Sequence, residues 1–202
     1  MIAIIDYGAG NIRSIEKALE YVGAIVHVAD DPAVVKKAHA VVLPGVGSGG
    51  AAMARMTERG LDDAIRQATQ QGKPFLGICL GMQLLADYHA EGEVDGLSLF
   101  SGEVRRIPHG PKIPHMGWNQ VKSQHSELAI FEAIPQNAYF YFAHSYYVEP
   151  QDSQGVAAIT EYGSPFCSVI VTERVWGTQF HPEKSGSVGL QLLNNFLKWI
   201  QA

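Results

Sequence analysis

Cysteine is scarce in this sequence, charge is sparse and leans acidic, and no long apolar run occurs. The two cysteines, Cys79 and Cys167, cannot build a disulfide framework, so the chain reads as a cytoplasmic protein with reduced thiols. Lysine and arginine number 15 against 20 aspartates and glutamates, a formal net charge of -5, and no basic face for nucleic acid is expected. No stretch approaches the roughly 18 apolar residues of a membrane span. The early run Ile2–Ile5 is too short for the core of a signal peptide. Paired cysteines and the H-E-x-x-H pattern are also missing, and His109, His115 and His144 lack ligand-like spacing. Neither a metal nor a cofactor is expected. What the 202 residues do have is a 47% hydrophobic fraction, enough for a substantial core. At roughly 150 residues per domain, the length allows one generous domain or two cramped ones.

The first half alternates short β-branched runs with helical patterns. Ile2-Ala3-Ile4-Ile5 ends at the turn-prone Asp6-Tyr7-Gly8-Ala9-Gly10, after which Asn11 is a candidate N-cap for a helix through Ile12, Ile15, Leu19 and Val22. Gly23 stops that helix before the run Ala24-Ile25-Val26-His27-Val28. Asp31-Pro32 opens a short helix, proline at the first position giving up an amide that has no partner there. Ala40-Val41-Val42-Leu43 is a third strand, and Met53, Met56, Leu61 and Ile65 mark one longer helical segment. Pro74-Phe75-Leu76-Gly77-Ile78 is a fourth strand, followed by a helix through Leu80, Leu84 and Leu85. Strands apolar on both faces and separated by helices imply an α/β, doubly wound, mostly parallel sheet. Sites in such sheets lie beyond the carboxyl ends of the strands.

The second half changes character. Pro108, Gly110, Pro111, Pro114 and Gly117 make a loop-rich stretch, and residues 139–148, 156–160, 166–171 and 175–180 read as strands before a helix over 188–199. No polar linker separates the halves, so these strands are read as an antiparallel extension of one domain spanning 1–202.

Gly77-Ile78-Cys79-Leu80-Gly81 has the G-x-S-x-G spacing of a nucleophile elbow with cysteine in the serine position. A tight strand-to-helix turn needs glycine on both sides, lifts the side chain into the open and sets it at a helix N-terminus, whose field favours an anion. It also aims the Leu80 amide at a developing oxyanion. The bland alternative is a buried structural cysteine. A cysteine nucleophile needs a base, and a base needs an orienter. In Gln179-Phe180-His181-Pro182-Glu183-Lys184 the carboxylate of Glu183 can hold one ring nitrogen of His181 while the other faces the thiol. His27, His39, His89, His109 and His125 have no such companion and are taken as surface or satisfied core residues. Met53, Met56 and Met82 read as core.

Pro44-Gly45-Val46-Gly47-Ser48-Gly49-Gly50 also satisfies G-x-G-x-x-G through Gly45, Gly47 and Gly50. A dinucleotide site would need an acidic residue about 20 positions on, at the next strand end. Cys79 stands at that strand end, and Asp62 and Asp63 come too early. A glycine strand presenting amides to an oxyanion beside the elbow fits better.

Together these motifs resemble the class I, triad-type glutamine amidotransferases over essentially the whole chain. Within that class they are most similar to the glutaminase subunits of imidazole glycerol phosphate synthases. The broad resemblance rests on Cys79 with Gly77, Leu80, Gly81 and Gln83, and on His181 and Glu183. The narrower one rests on Ile4-Ile5-Asp6-Tyr7-Gly8-Ala9-Gly10-Asn11, Pro44-Gly45-Val46-Gly47, Pro114-His115-Met116-Gly117-Trp118-Asn119, His144-Ser145-Tyr146 and Lys184.

The resemblance implies that Cys79 attacks the amide of L-glutamine, with His181 as general base then acid and Glu183 as its orienter. It implies oxyanion amides from Val46 or Gly47 and from Leu80, and substrate contacts from Gln83, Ser145 and Tyr146. A separate (β/α)8-barrel cyclase subunit would receive the ammonia, with Asn11, Met116, Trp118, Tyr139 and Lys184 lining or gating the interface. Gly49 departs from the family pattern, which has a residue such as phenylalanine there. Other class I amidotransferases, of the anthranilate or aminodeoxychorismate type, and a non-catalytic glutamine sensor are the competing readings.

Overall fold

In the computed structural model the run Ile2–Ile5 forms strand β1, every residue of it buried. The model describes residues 1–8, 11–108 and 112–201. Ala9 and Gly10 of the first turn, and His109, Gly110 and Pro111 of the expected loop, lie outside the described residues. The remaining strands are β2 (Val26–Ala29), β3 (Ala40–Gly45), β4 (Phe75–Cys79), β5 (Tyr88–His89), β6 (Val94–Asp95), β7 (Gly102–Arg106), β8 (His115–Ser123), β9 (Ala138–His144), β10 (Tyr146–Pro150), β11 (Val156–Tyr162), β12 (Ser164–Val171) and β13 (Val175–Thr178). The helices are α1 (Ile12–Tyr21), α2 (Pro32–Lys37), α3 (Gly49–Glu58), α4 (Leu61–Gln70), α5 (Leu80–Gln83) and α6 (Gly186–Trp199).

The larger sheet runs β2-β1-β3-β4-β13-β12-β11-β8-β9. Its first five strands are parallel and the others antiparallel, which is the doubly wound sheet with an antiparallel extension that the sequence predicts. Alternation along the strands feeds two cores. Ile2, Ile4, Val42, Leu76 and Ile78 pack with Ile15 and Leu19 of α1 and Leu192 and Phe196 of α6. Ala3, Ile5, Val41, Leu43 and Phe75 pack with Val35 of α2, Met53 and Met56 of α3 and Ile65 of α4. Successive strand residues point to opposite faces, so four apolar residues in a row serve both layers. No described helix is long and apolar enough to cross a membrane.

Several local expectations change. Asn11 sits at the N-cap position of α1, but its side chain makes no capping bond. Asp31 does cap α2, accepting from the Ala33 amide at 2.8 Å. The single helix expected through Met53 and Ile65 breaks at Gly60, whose φ of 65° lets the chain turn between α3 and α4. Strand β2 is an edge strand with His27 exposed, not a strand buried on both faces.

The expected loop stretch from Pro108 ends early: its last residues, His115 to Gly117, already belong to β8, paired in register with β9. The expected strand over 139–148 is two strands, broken at Ser145. Strand β9 stays in the large sheet, while β10 joins a second sheet of order β10-β7-β5-β6. The helix expected after Cys79 is the single turn α5. It stops because the carbonyls of Leu84, Leu85 and Ala86 accept from the amides of Leu97, Leu99 and Ser98, at 2.8, 2.8 and 3.2 Å.

Candidate active site

Three neighbouring parallel strands, β3, β4 and β13, end side by side. Gly45 pairs with Cys79, and Thr178 pairs with Ile78. Their carboxyl ends therefore bring together the 44–50 glycine segment, the cysteine and the His181 loop, at the position where such sheets carry their sites.

Cys79 has φ 54° and ψ -110°, a strained conformation for a residue with a side chain. The flanking glycines make the turn possible. A Cβ on Gly77 would lie 2.7 Å from the Gly81 carbonyl oxygen, and one on Gly81 would collide with the Leu43 carbonyl. The sulfur lies 3.7 Å from Gln179 Nε2 and 3.8 Å from the Ala143 carbonyl oxygen. With α5 only one turn long, little aligned helix stands behind the sulfur, so the local hydrogen-bond partners carry more weight than a macrodipole.

His181 is buried, with Nδ1 2.9 Å from Glu183 Oε1. Burial alone would lower its pKa. The hydrogen bonds to Cys79 and Glu183, and the charges behind them, outweigh that and push it up to about 10. The ring thus sits between the Cys79 sulfur and the Glu183 carboxylate, the two groups that raise its pKa. The loop is pinned to β9, because the His181 amide donates to the Tyr141 carbonyl at 2.9 Å and Ser185 Oγ donates to the His181 carbonyl at 2.6 Å.

Cys79 opens on a cavity of 190 Å³. Val46, Gly47, Leu80, Gln83, Ser145 and Tyr146 all line it, so every oxyanion and substrate position expected from sequence meets the sulfur there. Its volume falls below the roughly 300–1,000 Å³ of larger ligand sites and suits a free amino acid. His181 and Glu183 lie on the other side, against a narrow crevice shared with Asn11 and Lys184.

The remaining expected interface residues lie mainly on one face of the β8–β9 ribbon. Met116, Trp118 and Tyr139 are 65%, 55% and 54% exposed. Trp118 stands opposite Tyr141, whose ring lies 6.0 Å from Lys184 Nζ, and Met116 also reaches the cavity rim.

A family model of class-I glutamine amidotransferases matches residues 3–199. The chain belongs to that family. An imidazole glycerol phosphate synthase subunit HisH from Desulfitobacterium hafniense is 49% identical over 99% of this class-I amidotransferase and 95% of its own length. The protein of the same name from Moorella thermoacetica is 50% identical over 96% and 93%. A crystal structure of a glutamine amidotransferase aligns over 100% of both chains with a TM-score of 0.79 at 17% identity, a likeness of fold.

Sequence reasoning about this amidotransferase missed several residues of the site. Glu91 lines the cavity and supplies its carboxylate. Gln179 links Gln83 to the sulfur, accepting from Gln83 Nε2 at 3.0 Å. Its place two residues before His181, next to the end of β13, was the available signal. His115 and His144 form a buried pair. His144 donates from Nδ1 to the Tyr146 carbonyl at 2.8 Å, so its Nε2 accepts from His115 Nδ1 at 2.9 Å. Among the described residues no group of His, Cys, Asp and Glu is placed to hold a metal.

Two glycines of the G-x-G-x-x-G match serve close packing, and the third, Gly47, has open space around it and a φ of 95°. A Cβ on Gly45 would lie 2.8 Å from the Tyr7 hydroxyl oxygen, and one on Gly50 would lie 3.1 Å from Gly92 Cα. His89 is a satisfied core residue, as expected, and it is bonded to the substrate position Gln83.

Proposed function

We propose that residues 1–202 act as one domain, the cytoplasmic glutaminase subunit of an imidazole glycerol phosphate synthase. Its reaction is hydrolysis of L-glutamine to L-glutamate and ammonia. One observation carries the reading: a cysteine at a strained elbow, between an amino-acid-sized cavity and a buried His–Glu pair.

Cys79 Sγ attacks the side-chain amide carbon of glutamine as the thiol proton passes to His181. The amides of Val46, Gly47 and Leu80 receive the oxyanion. His181, oriented through Nδ1 by Glu183, passes a proton to the leaving nitrogen, and ammonia departs from a γ-glutamyl thioester. The same ring nitrogen then takes a proton from water, which attacks the thioester and frees glutamate and the thiol. Gln83, Ser145 and Tyr146 hold the substrate, and the Glu91 carboxylate faces its α-ammonium group.

Ammonia leaves toward Asn11 and Lys184. The exposed Met116, Trp118 and Tyr139 face a (β/α)8-barrel cyclase subunit, which uses the ammonia to make imidazole glycerol phosphate and aminoimidazole carboxamide ribonucleotide. An aromatic and methionine patch beside the cavity mouth suits such a partner.

The test is glutamate release by the chain with a barrel cyclase and its nucleotide ligand, beside synthesis from ammonium salts. Cys79→Ala and His181→Ala should lose glutamine-dependent turnover by about 10³-fold or more while ammonium-dependent synthesis persists, and Glu183→Ala should lose less. A Cys79→Ala protein that still hydrolyses glutamine would overturn the reading. Glutamine binding without hydrolysis in the parent protein would leave a sensor in its place.

A further inference from the structure

Gly49, the position that departs from the family pattern, meets another unusual neighbour in the structure. A Cβ built on Gly49 would lie 2.6 Å from Cγ and Cδ2 of His89, so the imidazole occupies the space a side chain at 49 would need. A phenylalanine there has no room. The ring is fully buried and its hydrogen-bond roles are fixed. The Glu91 amide donates to Nδ1 at 3.1 Å, which leaves the proton on Nε2, 3.1 Å from Gln83 Oε1. Gln83 in turn donates from Nε2 to the Tyr146 carbonyl at 2.7 Å and to Gln179 Oε1 at 3.0 Å, and Gln179 Nε2 reaches the Cys79 sulfur.

His89 lies on the β5–β6 hairpin, which is zipped to the start of α3. The Gly49 amide donates to Glu91 Oε2 at 3.3 Å, the Gly50 amide donates to the Glu91 carbonyl at 3.1 Å, and Gly50 and Gly92 are in backbone contact. One imidazole therefore touches both halves of the cavity. It abuts the segment that carries Val46 and Gly47, and it holds the amide of Gln83.

We propose that His89 is a positioning residue for the glutamine cavity: seated on the bare Cα of Gly49, it donates to Gln83 Oε1 and locks the 44–50 segment and the Gln83 amide in one arrangement. This rests on the glutaminase reading. An amide side chain is symmetrical in shape and can turn over, exchanging its donor and acceptor ends. Here the Nε2 proton of His89 and the Tyr146 carbonyl select the same orientation from opposite ends. The lone pair of Gln83 Oε1 not used by His89 is then available to an N–H of the substrate. Gly49 is the complementary half of the device, because only a residue without Cβ lets the ring lie that close.

The experiment is steady-state glutamine hydrolysis by His89→Ala, His89→Gln, Gly49→Ala and the double variant His89→Ala/Gly49→Ala, each with the barrel cyclase and its nucleotide ligand. Melting temperatures are recorded alongside. Loss of one buried hydrogen bond predicts a KM for glutamine raised about tenfold in His89→Ala, with kcat changed far less. Glutamine places its side-chain N–H where the imidazole has Nε2–H, so His89→Gln should recover KM to within about threefold. Gly49→Ala should raise KM by displacing the ring. With the ring gone, adding Gly49→Ala to His89→Ala should cost nothing more.

A purely structural His89 would instead lower the melting temperature and the active fraction at unchanged KM, and that result overturns the proposal. So does a Gly49→Ala effect of equal size in both backgrounds. A parent protein that hydrolyses no glutamine refutes the glutaminase reading itself, whereas an active parent with unaltered His89 variants refutes this inference alone.

Discussion

Lowering the pH from 6.5 to 5 should destabilise this protein through three histidines that cannot take up a proton where they sit. Burial pushes His89 and His115 down to about 4 and His144 to about 3. For His144 the bond to the Tyr146 carbonyl opposes the shift, and the nearby His115 and His181 add to it. Each ring is also committed as a neutral donor and acceptor. His144 accepts from His115, and His89 accepts from the Glu91 amide, so a second proton would break a bond as well as bury a charge.

The unfolded chain keeps the ordinary value near 6.5. Below it the unfolded state binds protons that the native state refuses, and stability present above pH 6.5 is lost as pH falls toward 4. Each withheld proton costs about 1.4 kcal/mol per pH unit, or about 2 kcal/mol between pH 6.5 and 5. His115 stacks on the half-buried Tyr162, within reach of water, so about 4 kcal/mol for the three together is the working figure. His181 acts with the opposite sign and elsewhere. Its raised pKa adds stability that is complete below pH 6.5 and is lost as pH rises through about 10.

Urea unfolding at pH 7, 6 and 5 measures the loss, and a constant m-value checks that the transition stays two-state. His89→Gln, which has no proton to refuse, should lose about 1–2 kcal/mol less than the parent over this range. If the variant and the parent lose stability equally between pH 6.5 and 5, the reasoning fails.

Two further outcomes can be checked with little material. Gly81→Ala drives a Cβ of α5 into the buried Leu43 carbonyl of β3, and a loss of about 3 kcal/mol or more in urea unfolding is expected; a change under 1 kcal/mol would show that the elbow has slack. Cys167 is buried, its sulfur donates to the Val169 carbonyl at 3.5 Å, and burial pushes its thiol up to about 12, so native alkylation with iodoacetamide should label Cys79 alone by peptide mass.

The parallel half was legible because its strands are β-branched runs and its turns carry glycine, aspartate and proline at positions with a local physical meaning. The elbow and the His-x-Glu unit were legible for the same reason, since the chemistry is contained in five and three consecutive residues. What could not be read depends on partners distant in the chain. Pro114 and Gly117 punctuate the start of β8 as a loop would, and pairing with β9 is what makes residues 115–121 a strand. Residues 139–148 carry aromatic and apolar residues on both sides of His144-Ser145 and read as one strand, although the chain changes sheets at Ser145. The helix after Cys79 is cut short by a segment a dozen residues later that captures its carbonyls. His115 and His144 look unrelated until the β8–β9 register sets them opposite each other. Glu91 carries no local mark at all, and it enters the cavity through its pairing with the start of α3.

The order in which the parallel strands sit has a consequence for synthesis on the ribosome. Cys79 lies on β4, and the strand beside it that delivers His181 is β13, made about a hundred residues later. Until β13 takes its place between β4 and β12, a growing chain has the Cys79 sulfur but no His181 imidazole beside it. A nascent or prematurely terminated chain therefore carries the elbow without the His181–Glu183 pair on which the proposed reaction depends.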